Sequence, residues 1–272
     1  MATAERGMMG FVYDEEVALR YDAAVRVGPG EVRFYLELAR EAAAQDLPTL
    51  ELACGSGRIA VPLAREGVRL VGLDNSPAML ARAREKSDGL AGVEWVEGDM
   101  RSFELGKVFG LVIIPVASLQ LLLTTDDQMA CLRCVNRHLA PGGRLAFELD
   151  NTSIVVMAEW LTHRRGTLQR NPQRDYRHPV TGNQVYSWGY REYHPSQQRY
   201  IGRGVTEEVD EQGVVVRRTY GQPMEARYFH RFEVEHLLWR CGLEVEALYG
   251  DLGKGEFKGN STSMIWVARR CA

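Results

Sequence analysis

Between Thr49 and Leu149, short apolar runs alternate with segments whose apolar positions recur every three or four residues. The runs Thr49–Ala53, Arg69–Leu73, Val93–Val96, Gly110–Pro115 and Arg144–Leu149 are four to six residues long, with "LVIIPV" the most continuously apolar. They predict strands buried on both faces. Between them, Arg58–Glu66, Pro77–Lys86 and Asp126–Leu139 predict helices. This alternation predicts a doubly wound α/β core, a parallel sheet wrapped by helices on both sides. Pro141–Gly143 predicts the stop between the last of these helices and the fifth strand. Pro62, just past a first helical turn, predicts one lost backbone bond and a bend.

The flanks have a different rhythm. Residues 1–45 predict helix, clearest over Val32–Ala44, with Phe34, Leu36, Leu38 and Ala42 apolar. After Leu149, residues 151–165 predict another helix, with Asn151 or Thr152 able to cap it. From about Asn183 the period falls to two in "VYSWGYREY", "YIGRGVTEEV" and "VVVRRTY", the last two joined by the acidic turn "DEQG". That predicts an antiparallel sheet. Helix and core-strand patterning returns in "RFEVEHLLWRCGLEVEALYGD" and closes with "SMIWVARR". The chain therefore divides into an N-terminal helical cap (1–45), a core (46–150), an inserted helix and antiparallel sheet (151–230) and a return to the core (231–272).

Composition narrows the classes. The chain has 272 residues, 45% hydrophobic and 25% charged, ordinary for a globular α/β domain carrying an insertion. A net charge of −3 supplies no basic field and weighs against a nucleic-acid partner. No apolar run approaches the ~20 residues that span a bilayer. The start "MATAERGMMGFVYDEE" has acids where a signal peptide has an apolar core, so the expected location is cytoplasmic. Five cysteines, an odd number, argue against a disulfide framework. Cys131 and Cys134 form a C-x-x-C inside a helical stretch, without a second thiol or histidine pair, so no metal site is expected.

The stretch "LELACGSGRIAVPLAREGVRLVGLD" (Leu50 to Asp74) reads as strand, glycine turn, helix, strand and terminal acid, the opening of a nucleotide-binding βαβ unit. Gly55 and Gly57 allow a tight turn and close approach of a ligand to the backbone. Asp74 lies seventeen residues after Gly57, near the spacing at which a carboxylate meets ribose hydroxyls. Glu51, on the strand before the turn, would repel a pyrophosphate and disfavours a nicotinamide dinucleotide and an oxidoreductase. A ligand with a sulfonium and an α-amino group would be attracted instead. After the third strand, Asp99 can accept an exocyclic adenine amine, and Met100 follows it.

"LELACGSGR", "VGLDNSPAMLARAR", "VEGDM", "LVIIPVASLQ" and "LAPGGRLAFEL" together resemble the successive motifs of class I S-adenosylmethionine-dependent methyltransferases over about residues 46–150. The ending resembles that family's closing antiparallel strand pair. The family's usual "GCGTG" stands here as Ala53, Cys54, Gly55, Ser56 and Gly57, which keeps both glycines. The resemblance implies a Rossmann-like, seven-stranded, mostly parallel sheet, here with an inserted antiparallel lid, and S-adenosylmethionine as cofactor. It places Glu51 and the Ala53–Gly57 backbone at the methionine portion and Asp74 on the ribose. Asn75 and Met79 would flank ribose and adenine, Asp99 and Met100 would meet adenine, and Pro115 and Val116 would lie near the methyl. It also implies an N-terminal tyrosine over the methionine end, Tyr21 with Tyr13 as rival.

The acceptor side is less defined. Tyr35, Ser118, Gln120, Tyr190 and Arg231 are candidate substrate contacts, and His230 is the candidate base beside Tyr21. Alternation puts Tyr186, Trp188 and Tyr190 on one strand face, which would wall a pocket or meet a second subunit in a homodimer. The expected reaction is methyl transfer to a nitrogen or oxygen of a small molecule. "IIPVASLQ" lacks the Asn/Asp-Pro-Pro-aromatic motif of base-amine methylation, which disfavours RNA and DNA. A protein substrate and a non-catalytic cofactor-binding protein stay open, because a fold does not fix chemistry.

Overall fold

The computed structural model describes residues 13–25, 27–162 and 166–271. The expectation of helix over 1–12 and 163–165 lies outside the described residues. Two helices, α1 (Glu15–Ala24) and α2 (Pro29–Ala43), precede an alternating run. It consists of β1 (Thr49–Leu52), α3 (Ala60–Arg65), β2 (Leu70–Asp74), α4 (Pro77–Lys86), β3 (Val93–Glu97), β4 (Phe109–Ile114), α5 (Thr125–His138) and β5 (Leu139–Asp150). Next come α6 (Ile154–Thr162), β6 (Gln169–Arg170), β7 (Tyr176–Arg177), β8 (Gln184–His194), β9 (Arg199–Val209), β10 (Val215–Tyr220) and β11 (Met224–Arg227). The chain closes with α7 (Arg231–Arg240), β12 (Leu243–Tyr249) and β13 (Ser263–Arg270).

Seven strands form the main sheet in the order β12-β13-β5-β4-β1-β2-β3. β1 runs parallel to β2 and β4, as do β2 with β3 and β4 with β5, while β13 lies antiparallel to β5 and β12. Strand order reverses between β1 and β4, so a crevice opens at their C-terminal ends, the position where open α/β sheets bind ligands. Side chains fill both faces. Phe109, Phe147 and Trp266 cluster with Leu132 of α5 and Leu238 of α7, and Ile59 and Val267 with Phe34 of α2 and Leu63 of α3. Cys131 and Cys134 are fully buried in the first cluster, and the Cys134 thiol lies 3.0 Å from the Phe103 carbonyl oxygen; they act as packing.

α3 begins at Ala60; the Val61 and Leu63 amides bond to the Gly57 (2.9 Å) and Ile59 (3.2 Å) carbonyls, and Pro62 between them leaves one such bond unmade, as expected. Two other local expectations are corrected. α5 ends at His138, before Pro141–Gly143, and those residues lie within β5, with Gly142 at φ 76°. Neither Asn151 nor Thr152 caps α6: the Val155 amide donates to Ser153 Oγ (3.2 Å), and the Asn151 side chain donates to the Ser261 carbonyl (2.7 Å). α4 matches its expected span because its start is local, Ser76 Oγ accepting from the Met79 amide (3.2 Å) with Pro77 in first position.

The second sheet has the order β10-β9-β8-β6, with β11 also on β9 and β7 also on β8. β8 and β9 pair along eleven residues, Tyr193 opposite Tyr200 and Gly189 opposite Gly204. Opposite residues share a face, so Val185, Ser187, Gly189, Arg191 and Tyr193 form one face and Tyr186, Trp188 and Tyr190 the other. The first face meets the rest of the molecule. Tyr193 and Tyr200 cluster with Tyr228 and with Met157 and Trp160 of α6, and Arg191 lies 3.8 Å from Asp150 at the end of β5.

Candidate active site

Leaving β1, the chain takes left-handed backbone at Ala53 (φ 53°), Gly55 (54°) and Gly57 (73°). The turn is tied to the end of β2: the Gly55 amide donates to Asp74 Oδ2 (2.7 Å) and the Ser76 amide to Oδ1 (2.8 Å). Burial raises the Asp74 pKa, opposed by amides of Ser76, Gly55 and Asn75. Asn75 is exposed beside it, and Met79 is buried under the turn, its Cε 3.0 Å from where a Gly55 Cβ would stand. A Cβ on Gly57 would come within 2.8 Å of Trp95 and Val61, so this turn is packed against its own floor.

Glu51 faces the same region and is 2% exposed, with Oε2 lacking a hydrogen-bond partner. Burial holds its carboxyl well above the ordinary range, with the charges of Asp74 and Glu31 adding to the rise and Arg58 opposing it. Arg58 is paired with Glu31. Tyr35 is wholly buried, its hydroxyl without a partner and within electrostatic reach of Glu148, Glu31 and Glu51. That places it behind the Glu51 cluster and corrects its assignment to the acceptor. α1 closes the other side. Asp22 accepts from Ser56 Oγ (2.5 Å) and Lys86 Nζ (2.9 Å), Ser76 Oγ donates to the Tyr13 carbonyl (2.9 Å), and the Tyr13 and Tyr21 rings meet edge to face at 6.0 Å. Tyr21 lies near Arg58, Arg174, Asp22 and Glu31, and burial raises its pKa. Such a phenol keeps its proton, so Tyr21 can donate or cover but makes a poor base.

At the other end of the crevice, Asp99 is held by Arg101, whose Nε lies 2.9 Å from Oδ1 and 3.0 Å from Oδ2. That contact lowers the Asp99 pKa and means an adenine amine must share an oxygen with the guanidinium. Met100 packs at the edge of the core. After β4, Pro115 is buried, and Val116 (φ 56°) and Ala117 (φ 57°) are both left-handed. A β-branched residue there is strained. Val116→Gly is expected to stabilise the fold by roughly 1 kcal/mol in denaturant unfolding while lowering turnover as the loop loosens. A loss of stability would mean that Val116 packing outweighs the strain.

Two acceptor candidates on this segment have partners within the protein. Ser118 Oγ donates to the Pro115 carbonyl (2.9 Å), closing the loop. Gln120 is 1% exposed with both ends of its amide used: Nε2 donates to the Arg227 carbonyl (2.7 Å), and Oε1 accepts from the Asp150 amide (2.8 Å). It bolts the second sheet to the end of β5.

These residues suit S-adenosylmethionine. A buried carboxylate oxygen without a partner awaits a cationic group, the left-handed glycine turn is packed on its floor too closely for a side chain at Gly57, and Asp74 stands beside it for a diol. Residues 49–143 match the family described as a methyltransferase domain. The chain carries a class I S-adenosylmethionine-dependent methyltransferase domain. A sugar-nucleotide methyltransferase of Streptomyces venezuelae, dTDP-3-amino-3,4,6-trideoxy-alpha-D-glucopyranose N,N-dimethyltransferase, is 32% identical over 112 residues, 41% of this chain and 46% of its own. The CcbJ methyltransferase from Streptomyces caelestis has a similar fold, at TM-score 0.75 and 24% identity over 96% of this chain and 100% of its own. SAM-bound CalS10, an amino pentose methyltransferase from Micromonospora echinaspora, aligns at TM-score 0.66 and 25% identity over 88% of this chain and 90% of its own. The chain spans about half the length of the curated relatives it matches.

On the acceptor side of this methyltransferase domain, the expected wall is turned over. Tyr186 and Trp188 face away from β5 and are covered by Arg170, whose guanidinium lies 4.7 Å and 5.4 Å from their rings and is paired with Asp175 (2.5 Å). The cation expected there is the protein's own, and Tyr190 shares that outer face. His230 is an exposed N-cap of α7, its backbone N–H reaching Glu233 (3.4 Å). Arg231 pairs with Glu235 one turn on (2.9 Å). Neither is brought to the glycine turn. The residues missed by sequence reasoning are Glu31, Arg58, Asp22 and Lys86. Only Arg58, directly after "GSG", carried a local signal.

Proposed function

We propose that this protein is an S-adenosylmethionine-dependent methyltransferase that methylates a nitrogen or oxygen of a small molecule by in-line displacement. One observation carries the restriction to small acceptors: α1 and the second sheet meet across the strand ends. Arg217 of β10 pairs with Glu16 of α1 (2.9 Å), and Arg20 interacts with Tyr176 of β7. Arg174, between β6 and β7, lies within electrostatic reach of Tyr13 and Tyr21, and Tyr13 within reach of Asp74. A crevice roofed in this way excludes water and admits a small body more readily than a folded macromolecule. The sugar-methylating relatives support the same reading.

When bound, the cofactor would supply a methyl on sulfonium, open to displacement by an acceptor lone pair, with the C–S pair returning to sulfur and any acceptor proton passing to a base or to solvent. The protein's share is alignment and dryness, and proximity can supply much of the acceleration. Glu51 attracts the positive end of the ligand, and α1 holds the roof through Asp22. The test is transfer of labelled methyl to a panel of small amines and alcohols, run beside a peptide mixture and bulk tRNA. Label in a small molecule is expected. Label in RNA or peptide with none in the small molecules would overturn the reading.

A further inference from the structure

We infer that the acceptor is an amine, received between Asp150 and a glycine-floored trough on the second sheet; this rests on the methyltransferase reading above. Asp150 ends β5, one strand from the β4 loop, and its backbone is fixed by Gln120. Its charge is felt on one side by Glu148, itself beside the Glu31–Arg58 pair, and on the other by Tyr200 of the second sheet. Asp150 therefore stands between the Glu51 end of the crevice and the inner face of the insertion.

That inner face is bare where a ligand body would lie. Arg191 faces Gly202 across the β8–β9 ladder, and Gly189 faces Gly204. A Cβ on any of these three glycines would meet strand backbone but no side chain within 4 Å. Glycine weakens a strand interior and commonly marks close approach by a ligand. Beyond them stand Tyr193 and Tyr200, their rings 5.7 Å apart, and the buried Tyr193 hydroxyl makes no well-formed hydrogen bond.

The trough already holds one cation. The Arg191 guanidinium lies 4.7 Å from the Tyr200 ring centroid and 3.8 Å from Asp150 Oδ2, with both charged side chains about two-fifths exposed. At 3.8 Å the contact is too long for a hydrogen bond and is readily exchanged. An aromatic face opposite a carboxylate is a site for an ammonium or a protonated amine. The amine gives up one proton to solvent before it attacks, since only its neutral form has a lone pair; Asp150 orients that nitrogen and takes up the second N–H proton, which leaves as the N–C bond forms and the C–S bond breaks.

An analogue of the cofactor tests this without a known acceptor. Nitrogen replaces its sulfonium, and a 3-aminopropyl arm replaces the methyl; the comparator carries a 3-hydroxypropyl arm. The amine-armed compound is expected to bind about tenfold tighter by calorimetry. Asp150→Asn should remove that preference while leaving the affinity for the hydroxyl-armed compound within about twofold. Equal binding of the two arms by the native protein, or a preference that survives Asp150→Asn, overturns the inference. If S-adenosylmethionine and both analogues fail to bind, the methyltransferase reading itself falls.

Discussion

Glu51→Gln is expected to raise the melting temperature of the free protein at pH 7 while weakening its hold on S-adenosylmethionine by about tenfold. The two effects have opposite signs because one carboxyl serves two states. In the free protein Glu51 is buried, and one of its oxygens lacks a partner. Burial raises its pKa well above its unfolded value of about 4.3. A group raised in this way contributes stability that is fully present below its unfolded pKa and is lost as pH climbs through the folded one. Glutamine removes that pH-dependent penalty, so a gain of ~1 kcal/mol, roughly 2–4 °C in a chain of this size, is expected. With a cationic ligand opposite, the ionised form is the useful one, and its removal costs a charge-assisted contact of about 1.5 kcal/mol or more. Native affinity should therefore rise with pH through the elevated Glu51 pKa, and the variant's should be flatter. A drop in melting temperature with unchanged affinity would make Glu51 structural.

Asp74→Ala should cost more, about a hundredfold in cofactor affinity. The carboxylate accepts from the Gly55 and Ser76 amides, so alanine removes the tie between the glycine turn and β2 together with the proposed contact to the ribose hydroxyls. Two contacts to a charged acceptor at ~1.5 kcal/mol each give that magnitude. Asp74→Asn keeps only one of the Gly55 and Ser76 bonds, through its carbonyl, because its amide nitrogen cannot accept from the other N–H, and should cost about tenfold. Calorimetry with both variants separates these cases. Wild-type affinity in the alanine variant would remove Asp74 from the site.

The alternation of buried strands and amphipathic helices was legible because period and length are local properties, and α4 matched its expected span for the same reason. The glycine turn and Asp74 were legible through spacing alone. The contacts that build the site's surroundings were not. Arg58 meets Glu31 across 27 residues, Lys86 meets Asp22 across 64, and Gln120 meets Arg227 across 107. No periodicity records such pairs. On β8 the failure has a sharper cause. Both alternating faces carry aromatics, Tyr186 and Trp188 on one and Tyr193 on the other, so alternation defines two faces without saying which turns inward. The glycines mark the inward one, since Gly189, Gly202 and Gly204 all lie on it.

A calorimetric titration of the native protein with S-adenosylmethionine, run at pH 6.5 in two buffers of different ionisation enthalpy and beside one with NAD, decides which ligand the crevice holds. S-Adenosylmethionine is expected to bind with release of a proton as Glu51 ionises, and NAD with no comparable affinity. Tight NAD binding, or no heat from S-adenosylmethionine, would contradict that expectation.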